Sequence, residues 1–278
     1  MTNESARAFV PGHVTGFFSV HEAEDPEQAG SRGAGLTLSE GATIEVERAA
    51  ETGMQLNDDF AAIEAVTRVL DALDAEARVT VRTDLPVSAG FGVSGAAALG
   101  TALTANRVFE CGLSENELIA IAHAAEVEAG TGLGDVVAQA RGGVPIRLDP
   151  GAPEYNRMDG VPARTRVEYL TLGERPTAEV LSGDTRGLSE VGVDMLVSLV
   201  EKPTLPSLMA ASRKFAEVAG LLTPEVRAVI EDVQAEGGEA AMAMLGETVF
   251  ALGTGLTDAG YDARACETHP AGATLEVE

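Results

Sequence analysis

Residues 86–98 read Pro86-Val87-Ser88-Ala89-Gly90-Phe91-Gly92-Val93-Ser94-Gly95-Ala96-Ala97-Ala98. In this stretch, small residues crowd a loop that continues directly into an apolar helix. Glycines allow a loop to turn its backbone N–H groups toward one point, and the helix N-terminus adds the positive end of its dipole. The stretch therefore predicts a phosphate-binding loop. The alternative is a tight turn before a closely packed helix.

Two classes of phosphate-binding loop are excluded because the sequence lacks their signature residues. A Walker A loop needs a lysine after its last glycine, but both lysines of the chain lie far downstream. Protein kinases need His-Arg-Asp and Asp-Phe-Gly signatures, and neither occurs. The spelling Gly90-x-Gly92-x-x-Gly95 does satisfy the dinucleotide fingerprint, although the preceding strand is expected to end by Thr83, too early for that motif. An NAD-dependent oxidoreductase therefore stays as an alternative from another enzyme class.

A second cluster places two carboxylates beside three alternating glycines. A helix over about residues 114–129 is predicted to end just before these glycines, and Asp135 opens a short helix after them. Glu126 and Asp135 are therefore expected to face one pocket, where one carboxylate can hold Mg²⁺ and the other can orient or deprotonate an attacking hydroxyl. The alternatives are an exposed helix acid for Glu126 and a plain N-cap for Asp135. His123, on the same helix, is interpreted as a packed or capping residue.

The strand and helix candidates segregate along the chain rather than alternate. Apolar or alternating runs predict strands at residues 8–10, 15–20, 43–46, 79–81, 144–148, 167–172, 248–252 and 261–267. Three-and-four spacing predicts helices at about residues 60–73, 94–109, 114–129, 184–200, 205–219 and 224–235. This segregation favours an α+β architecture. The proline-rich and glycine-rich residues 150–162 predict a boundary between a phosphate-binding domain at 1–155 and an α+β domain at 156–278.

The charge of the chain excludes one class of function. Its 278 residues include 19 basic and 44 acidic side chains, a formal net charge of −25. Nucleic-acid binding is excluded, because affinity for phosphate backbones comes mainly from clustered Lys and Arg. The 45% of hydrophobic residues indicates a globular chain. Because such an acidic surface repels itself unless salt screens it, we expect the protein to work in the cytoplasm of a halophile.

Two further observations bear on the compartment. Cys111 and Cys266 are isolated, so they form neither a disulfide framework nor the paired spacing of a zinc site. The N-terminus has no signal-peptide pattern, and no window of about 18 residues is continuously apolar. We therefore expect a cytoplasmic protein whose partner is a small molecule, with no nucleic acid and no membrane. A homodimer is left open.

The glycine loop resembles the central Pro-x-x-x-Gly-Leu-Gly-Ser-Ser-Ala-Ala motif of the GHMP small-molecule kinases. Phe91 replaces the usual Leu, Val93 the first Ser and Gly95 the first Ala. Other segments extend the resemblance, over nearly the whole chain, to the archaeal pantoate kinase branch of that superfamily; they are residues 11–18, 29–35, 99–103, 132–137 and 244–246.

The resemblance implies a two-domain α+β fold with the active site in the cleft between the domains. It also implies ATP-dependent phosphorylation of pantoate for coenzyme A biosynthesis in an archaeal cytoplasm, with ATP and Mg²⁺ as the required cofactors. Ser94 and Glu126 would be magnesium ligands, and Asp135 would activate the hydroxyl of pantoate. The residues implied to bind the nucleotide are Pro86, Ala89, Gly90, Phe91, Gly92, Val93, Ser94, Gly95 and Ala96.

The resemblance assigns substrate recognition to His21, Ser31 and Arg147. An arginine suits the carboxylate of pantoate, because a planar guanidinium binds carboxylates through two parallel hydrogen bonds. The alternative for Arg147 is a solvated surface side chain.

The chain departs from the superfamily in two places. Val93 removes a hydroxyl that many relatives place over the phosphates, and residues 242–246 stand where a Gly-Ala-Gly-x-Gly-Gly loop is common. The second departure weakens any assignment of C-terminal site residues. Another GHMP kinase, acting on mevalonate or homoserine, and a non-catalytic nucleotide-binding module remain as rivals.

Overall fold

The computed structural model describes residues 4–173, 185–244 and 246–276. Two β-sheets and the helices packed on them make up the fold. The elements of the first half are β1 (Ser5–His21), β2 (Gly30–Arg48), β3 (Gly53–Leu56), β4 (Asp59–Phe60), α1 (Glu64–Ala72), β5 (Ala77–Thr83), α2 (Val93–Phe109), α3 (Glu115–Ala129), α4 (Asp135–Arg141), β6 (Pro145–Asp149) and β7 (Arg157–Gly160). The elements of the second half are β8 (Arg166–Gly173), α5 (Arg186–Glu201), α6 (Leu205–Val218), α7 (Pro224–Ala235), β9 (Ala240–Ala243), β10 (Glu247–Leu252), α8 (Gly255–Asp258), β11 (Arg264–Glu267) and β12 (Thr274–Leu275).

The strand order confirms the α+β architecture. The first sheet runs β12-β1-β2-β5-β3-β4, with β6 and β7 attached through β2, and the second runs β11-β8-β10-β9. Among the strands described, β3 and β5 pair parallel and the other pairs are antiparallel. This is not the doubly wound parallel sheet on which dinucleotide-binding glycines depend. The oxidoreductase alternative therefore loses its structural basis.

The hairpin of β1 and β2 serves both hydrophobic cores. The end of the hairpin away from the β1–β2 connection contributes Val10 and Ile44 to the core under α1, α2 and α3. The part nearer the β1–β2 connection contributes Phe17 and Leu36 to the core formed with the second sheet and α5 to α7. Burial of these fully enclosed side chains stabilises each core by roughly 1.5–3 kcal/mol per residue. The same two strands therefore belong to both cores. The predicted boundary between two domains at residues 155 and 156 stays a prediction.

The helix predicted over residues 60–73 was placed too early. The helix begins at Glu64, and residues 59–60 form the short strand β4 instead. Asn57 and Asp58 adopt left-handed backbone angles, with φ of 51° and 70°, and they turn the chain back from β3 into a hairpin. Phe60 is consequently 87% exposed rather than packed on a helix face.

Two strand predictions also need correction. The separate strands predicted at 8–10 and 15–20 are one continuous β1, because a register shift between Pro11 and Gly12 lets the pairing with β2 continue past the proline. The strand predicted at 261–267 is shorter and spans Arg264–Glu267. Residue 184, the predicted start of one helix, lies outside the described residues.

The cysteines and the apolar character of the helices bear on two expectations from the sequence. Cys111 and Cys266 are both free. Among the helices of the described ranges, none combines the length and the apolar character needed to cross a bilayer.

The acidic surface predicts salt-dependent stability. Because acidic side chains outnumber basic ones by 44 to 19, repulsion outweighs the exposed ion pairs, each of which contributes only about 0–1 kcal/mol. We expect the thermal unfolding midpoint, followed by circular dichroism, to rise steadily between about 0.1 and 2 M KCl, as the screening length falls toward about 3 Å. Sodium chloride should act similarly, and a midpoint that falls with either salt would contradict this expectation.

Candidate active site

The glycine loop joins β5 to α2 and is shaped by left-handed residues. Gly90 and Gly92 have φ of 90° and 64°, a region that glycine occupies without strain. Gly92 is the N-cap of α2 and no side chain caps the helix there. The first N–H groups of α2 are therefore not occupied by a side-chain cap, and their role toward an anion stays a prediction.

Residues of three strands, β1, β8 and β10, contact this loop. The backbone N–H of His13 in β1 donates to the Phe91 carbonyl at 3.0 Å, and the Thr248 hydroxyl in β10 donates to the Ala89 carbonyl at 2.9 Å. The buried Phe91 ring packs edge-on against Tyr169 of β8, with 4.8 Å between ring centroids. The loop is therefore fixed by both sheets.

A cavity of about 230 Å³ opens above the loop. The loop and the start of α2 line it together with Glu126, Thr131 and Asp135. Thr15 of β1 and Met244, from the second half of the chain, complete the lining. Met244 reaches the cavity because its N–H donates to the Thr15 carbonyl at 2.8 Å. Of the segment 242–246, Met244 therefore lines the cavity, and Leu245 lies outside the described residues.

Ser94 and Glu126, which the resemblance implies as magnesium ligands, meet at one edge of this cavity. The Ser94 hydroxyl donates to Glu126 Oε1 at 2.5 Å, and the Thr131 hydroxyl donates to the same oxygen at 2.8 Å. Glu126 is only 2% exposed, so it is not the exposed helix acid of the alternative interpretation. Burial raises its pKa to about 7 against the opposing effect of the two hydroxyl hydrogen bonds, and the negative charge of Asp135 adds to the rise.

Asp135 begins α4 and lies opposite the loop. Gly134 is the N-cap of this helix, so the Asp135 carboxylate is not used as a cap. Instead, its Oδ1 lies 2.7 Å from Nδ1 of His13, a fully buried residue of β1. Burial raises the pKa of Asp135, but the hydrogen bond with His13 and the positive charge of Arg147 outweigh it, so the pKa lies below its ordinary value. The carboxylate is therefore ionised at neutral pH.

The start of α4 is held very close to the start of α2. A Cβ placed on Gly92 would lie 3.1 Å from both Asp135 Oδ1 and Gln139 Nε2, and one on Gly95 would lie 3.1 Å from Gln139 Oε1. The Gln139 amide donates to the Gly92 carbonyl at 2.9 Å. A side chain at either position would therefore displace Asp135 or Gln139 by a few tenths of an ångström, and at Gly92 it would also strain the left-handed backbone.

A smaller cavity adjoins the first and shares Thr15 and Asp135 with it. Ser31 and Arg147 line this second cavity. Arg147 is 2% exposed, which contradicts the alternative of a solvated surface arginine. Its Nε donates to the Ser31 carbonyl at 3.3 Å, whereas its buried Nη1 has no hydrogen-bond partner among the described residues. Burial lowers the pKa of Arg147 to about 10, and Asp135 opposes that shift, so the side chain is a buried cation.

His21 is not brought into this group. It is the last residue of β1 and is exposed. Among the described residues that line the two cavities, His21 is not included, although its neighbour Val20 pairs with Ser31. His123 is buried on α3, as interpreted from the sequence, and its Nε2 lies 2.8 Å from the Ala29 carbonyl.

Sequence reasoning missed His13, Thr131 and Gln139. His13 belongs to a segment that carried the resemblance, and Thr131 lies between the two predicted carboxylates. No spacing rule links them to the site, because His13 and Asp135 are separated by 122 positions. Only the fold makes these contacts.

Comparisons with known proteins show the family and the fold. Residues 60–143 match the profile of the GHMP kinases N terminal domain. The pantoate kinase of Thermococcus kodakarensis is 37% identical, over 88% of this chain and 87% of that protein. The pantoate kinase of Methanospirillum hungatei is 33% identical, over 88% of this chain and 86% of that protein. A solved phosphotransferase related to the CoA biosynthesis pathway has a TM-score of 0.86 and 29% identity, and the match covers 98% of each chain.

The contact between the C-terminal half and the glycine loop can be tested at Gly246. A Cβ at this position would lie 2.2 Å from the Ala89 carbonyl oxygen, a backbone atom that has no room to move. We expect Gly246→Ala to lower the free energy of unfolding by about 1–3 kcal/mol, measured by chemical denaturation.

The matched control is Gly187→Ala. Gly187 lies in the first turn of α5, where a Cβ would meet nothing within 4 Å. Alanine should be neutral there or stabilise the helix by up to about 1 kcal/mol. Equal destabilisation by both substitutions would contradict the proposed steric contact.

Proposed function

The chain belongs to the pantoate kinase family within the GHMP kinases, and we propose that it transfers the γ-phosphoryl group of ATP to the primary hydroxyl of pantoate, giving 4-phosphopantoate for coenzyme A biosynthesis. The observation that carries this proposal is the position of Asp135, which lines both the cavity at the glycine loop and the cavity at Arg147. A hydroxyl belonging to a carboxylic acid would then lie between bound phosphates and a buried guanidinium.

The glycine loop would hold the phosphates of ATP. Val93 carries no hydroxyl, so contacts there would rest on the backbone N–H groups at the uncapped start of α2. In a chain of net charge −25, these N–H groups and the helix dipole supply positive potential where two anionic substrates must meet.

A magnesium ion would bind at Ser94 and Glu126. Hydroxyl and carboxylate oxygens are suitable Mg²⁺ ligands, and both line the cavity above the loop. Among the described residues, no group of three or more acidic, histidine or cysteine side chains could hold a metal by itself. The nucleotide phosphates would therefore complete the coordination, as is usual for Mg²⁺ in kinases. When bound, the ion neutralises charge on the phosphates.

Asp135 would act on the attacking hydroxyl. The pantoate oxygen forms a bond to the γ-phosphorus while the bond from that phosphorus to the β-phosphate bridging oxygen breaks, and ADP leaves. The hydroxyl proton passes to the Asp135 carboxylate, whose pKa below the ordinary value keeps it ionised before the reaction.

Arg147 and Ser31 would recognise the pantoate carboxylate. The unpaired Nη1 of Arg147 is buried beside the second cavity, where an anion would supply the hydrogen bond that it lacks. His21 stays a predicted substrate-binding residue at the exposed end of β1. The acidic composition supports the cytoplasm of a halophile as the setting, the resemblance implies that this halophile is an archaeon, and a homodimer stays open.

The substrate is tested by ADP release at molar KCl with ATP and Mg²⁺. Pantoate, mevalonate, homoserine and glycerate are offered separately, and we expect turnover with pantoate alone. Preferential turnover of mevalonate or homoserine would assign the chain to another GHMP kinase activity. ATP binding without ADP release from any acceptor, by protein shown to be folded at that salt, would favour the non-catalytic module.

Replacing the carboxylate of Asp135 should slow the chemical step. We expect Asp135→Asn to lower kcat for pantoate by a factor of at least about 100, because the amide cannot accept the hydroxyl proton. The matched control is Asp149→Asn, which removes a partly exposed carboxylate on β6 that faces Arg32 and Arg157. Near-normal turnover by Asp135→Asn would exclude the role assigned to this residue.

The magnesium site is tested by titrating the ion at fixed ATP. Glu126→Gln and Ser94→Ala should each require at least about tenfold more Mg²⁺ for half-maximal rate, because each removes one of the two proposed ligands. Glu128→Gln is the control, since Glu128 lies two positions further along α3 and pairs with Arg68 on the surface. Unchanged magnesium dependence in both test variants would argue against this site.

A further inference from the structure

His13 is a buried residue that the mechanism above does not use. It lies in β1, is 0% exposed, and its Nδ1 is 2.7 Å from Asp135 Oδ1. Its other ring nitrogen, Nε2, is buried and has no hydrogen-bond partner among the described residues. A Cβ on Gly35 of β2 would lie 2.6 Å from Nε2, so the ring fits closely against the backbone of the neighbouring strand. The ring therefore has one orientation and a single polar contact.

The surroundings of the His13 ring favour the neutral form of the imidazole. An imidazolium would leave an unpaired N–H donor and a positive charge in the core, which burial disfavours. Burial lowers the pKa of His13, Asp135 opposes the shift through its hydrogen bond and charge, and Arg147 adds to the lowering. The neutral form with its proton on Nδ1 leaves only an unpaired acceptor at Nε2, and it donates to the Asp135 carboxylate.

This donation leaves the two carboxylate oxygens with different roles. Oδ1 is occupied by His13, whereas Asp135 as a whole lines both cavities of the site. The charged side chains around Asp135 are Glu126 on α3 and Arg147 on β6, with His13 on β1 as the hydrogen-bond donor. The contact that β1 makes with the carboxylate is this hydrogen bond from His13 to Oδ1.

We propose that His13 is a positioning residue, whose Nδ1–H holds Oδ1 of Asp135 so that Oδ2 is directed toward the hydroxyl of the substrate. This role rests on the proposed function for its kinetic consequence, but the hydrogen bond itself can be observed without any substrate.

The first experiment reads the tautomer by nitrogen NMR of protein labelled with ¹⁵N-histidine. The chain has four histidines, and the signals of His13 are those that disappear in His13→Asn. We expect a neutral ring protonated on Nδ1 from about pH 6 to 8. His123 provides an internal comparison, because its Nε2 faces the Ala29 carbonyl and must carry the proton. An Nε2–H tautomer or an imidazolium at His13 would overturn the proposal, whether or not the chain phosphorylates pantoate.

The second experiment compares His13→Leu with His13→Asn. Leucine fills the space without a donor, whereas the asparagine amide can donate from near the position of Nδ1. We expect His13→Leu to lower kcat for pantoate by about tenfold to a hundredfold, the effect of removing a hydrogen bond to a charged group, with the KM for ATP unchanged. His13→Asn should recover most of the loss, and His269→Leu should behave like the native chain, because the His269 ring contacts Phe9 and lines neither cavity.

The pH profile separates positioning from a merely structural role. Loss of the Nδ1–H donor raises the pKa of Asp135, so the acidic limb of kcat/KM should move to higher pH in His13→Leu and return in His13→Asn. An equal loss in both variants with an unshifted acidic limb would overturn the proposal. If His13→Leu does not fold, the NMR result and His13→Asn decide the question. If the native chain phosphorylates none of the acids offered, the proposed function fails while the NMR result still tests the hydrogen bond.

Discussion

The close approach of α4 to the start of α2 is the contact on which the site depends. A Cβ on Gly92 would lie 3.1 Å from Asp135 Oδ1, and a Cβ on Gly95 would lie 3.2 Å from Asp135 Cβ. A side chain on either glycine would therefore force Asp135 or Gln139 to move by a few tenths of an ångström away from the start of α2. Phosphoryl transfer relies on alignment more than on covalent chemistry, so this spacing governs what the site can do. The small residues of the loop are therefore a requirement of the chemistry as well as of the turn.

The long hairpin of β1 and β2 brings the remaining groups to that contact. β1 supplies His13 and Thr15, β2 supplies Ser31, and β6 pairs with β2 to place Arg147 beside them. The same hairpin belongs to both hydrophobic cores, so groups from both halves of the chain are fixed to one rigid support. This sharing explains how Met244 can line a cavity whose other walls come from the first half.

The site concentrates buried charge in a protein whose surface is strongly acidic. Glu126 and Asp135 are both carboxylates, yet burial raises the pKa of the first while hydrogen bonding and nearby positive charge lower the pKa of the second. Two carboxylates with opposite shifts suit the two proposed tasks, which are cation binding by Glu126 and proton acceptance by Asp135. Arg147 balances part of this charge and retains an unpaired nitrogen for an anionic ligand.

The sequence by itself determined the α+β class and the glycine loop before α2, because these depend on local spacing, helix periodicity and the conformations available to glycine. The family resemblance, rather than any spacing, linked Ser94 with Glu126, and the tertiary structure brings their side chains into contact across 32 positions. It misplaced the helix at residues 60–73 and divided β1 in two, since turn conformation and strand register follow from partner strands. Only the tertiary structure decided that Arg147 is buried and that His13 reaches Asp135. Those facts depend on strands packing across more than a hundred positions, and no local pattern records which side chains such packing brings together.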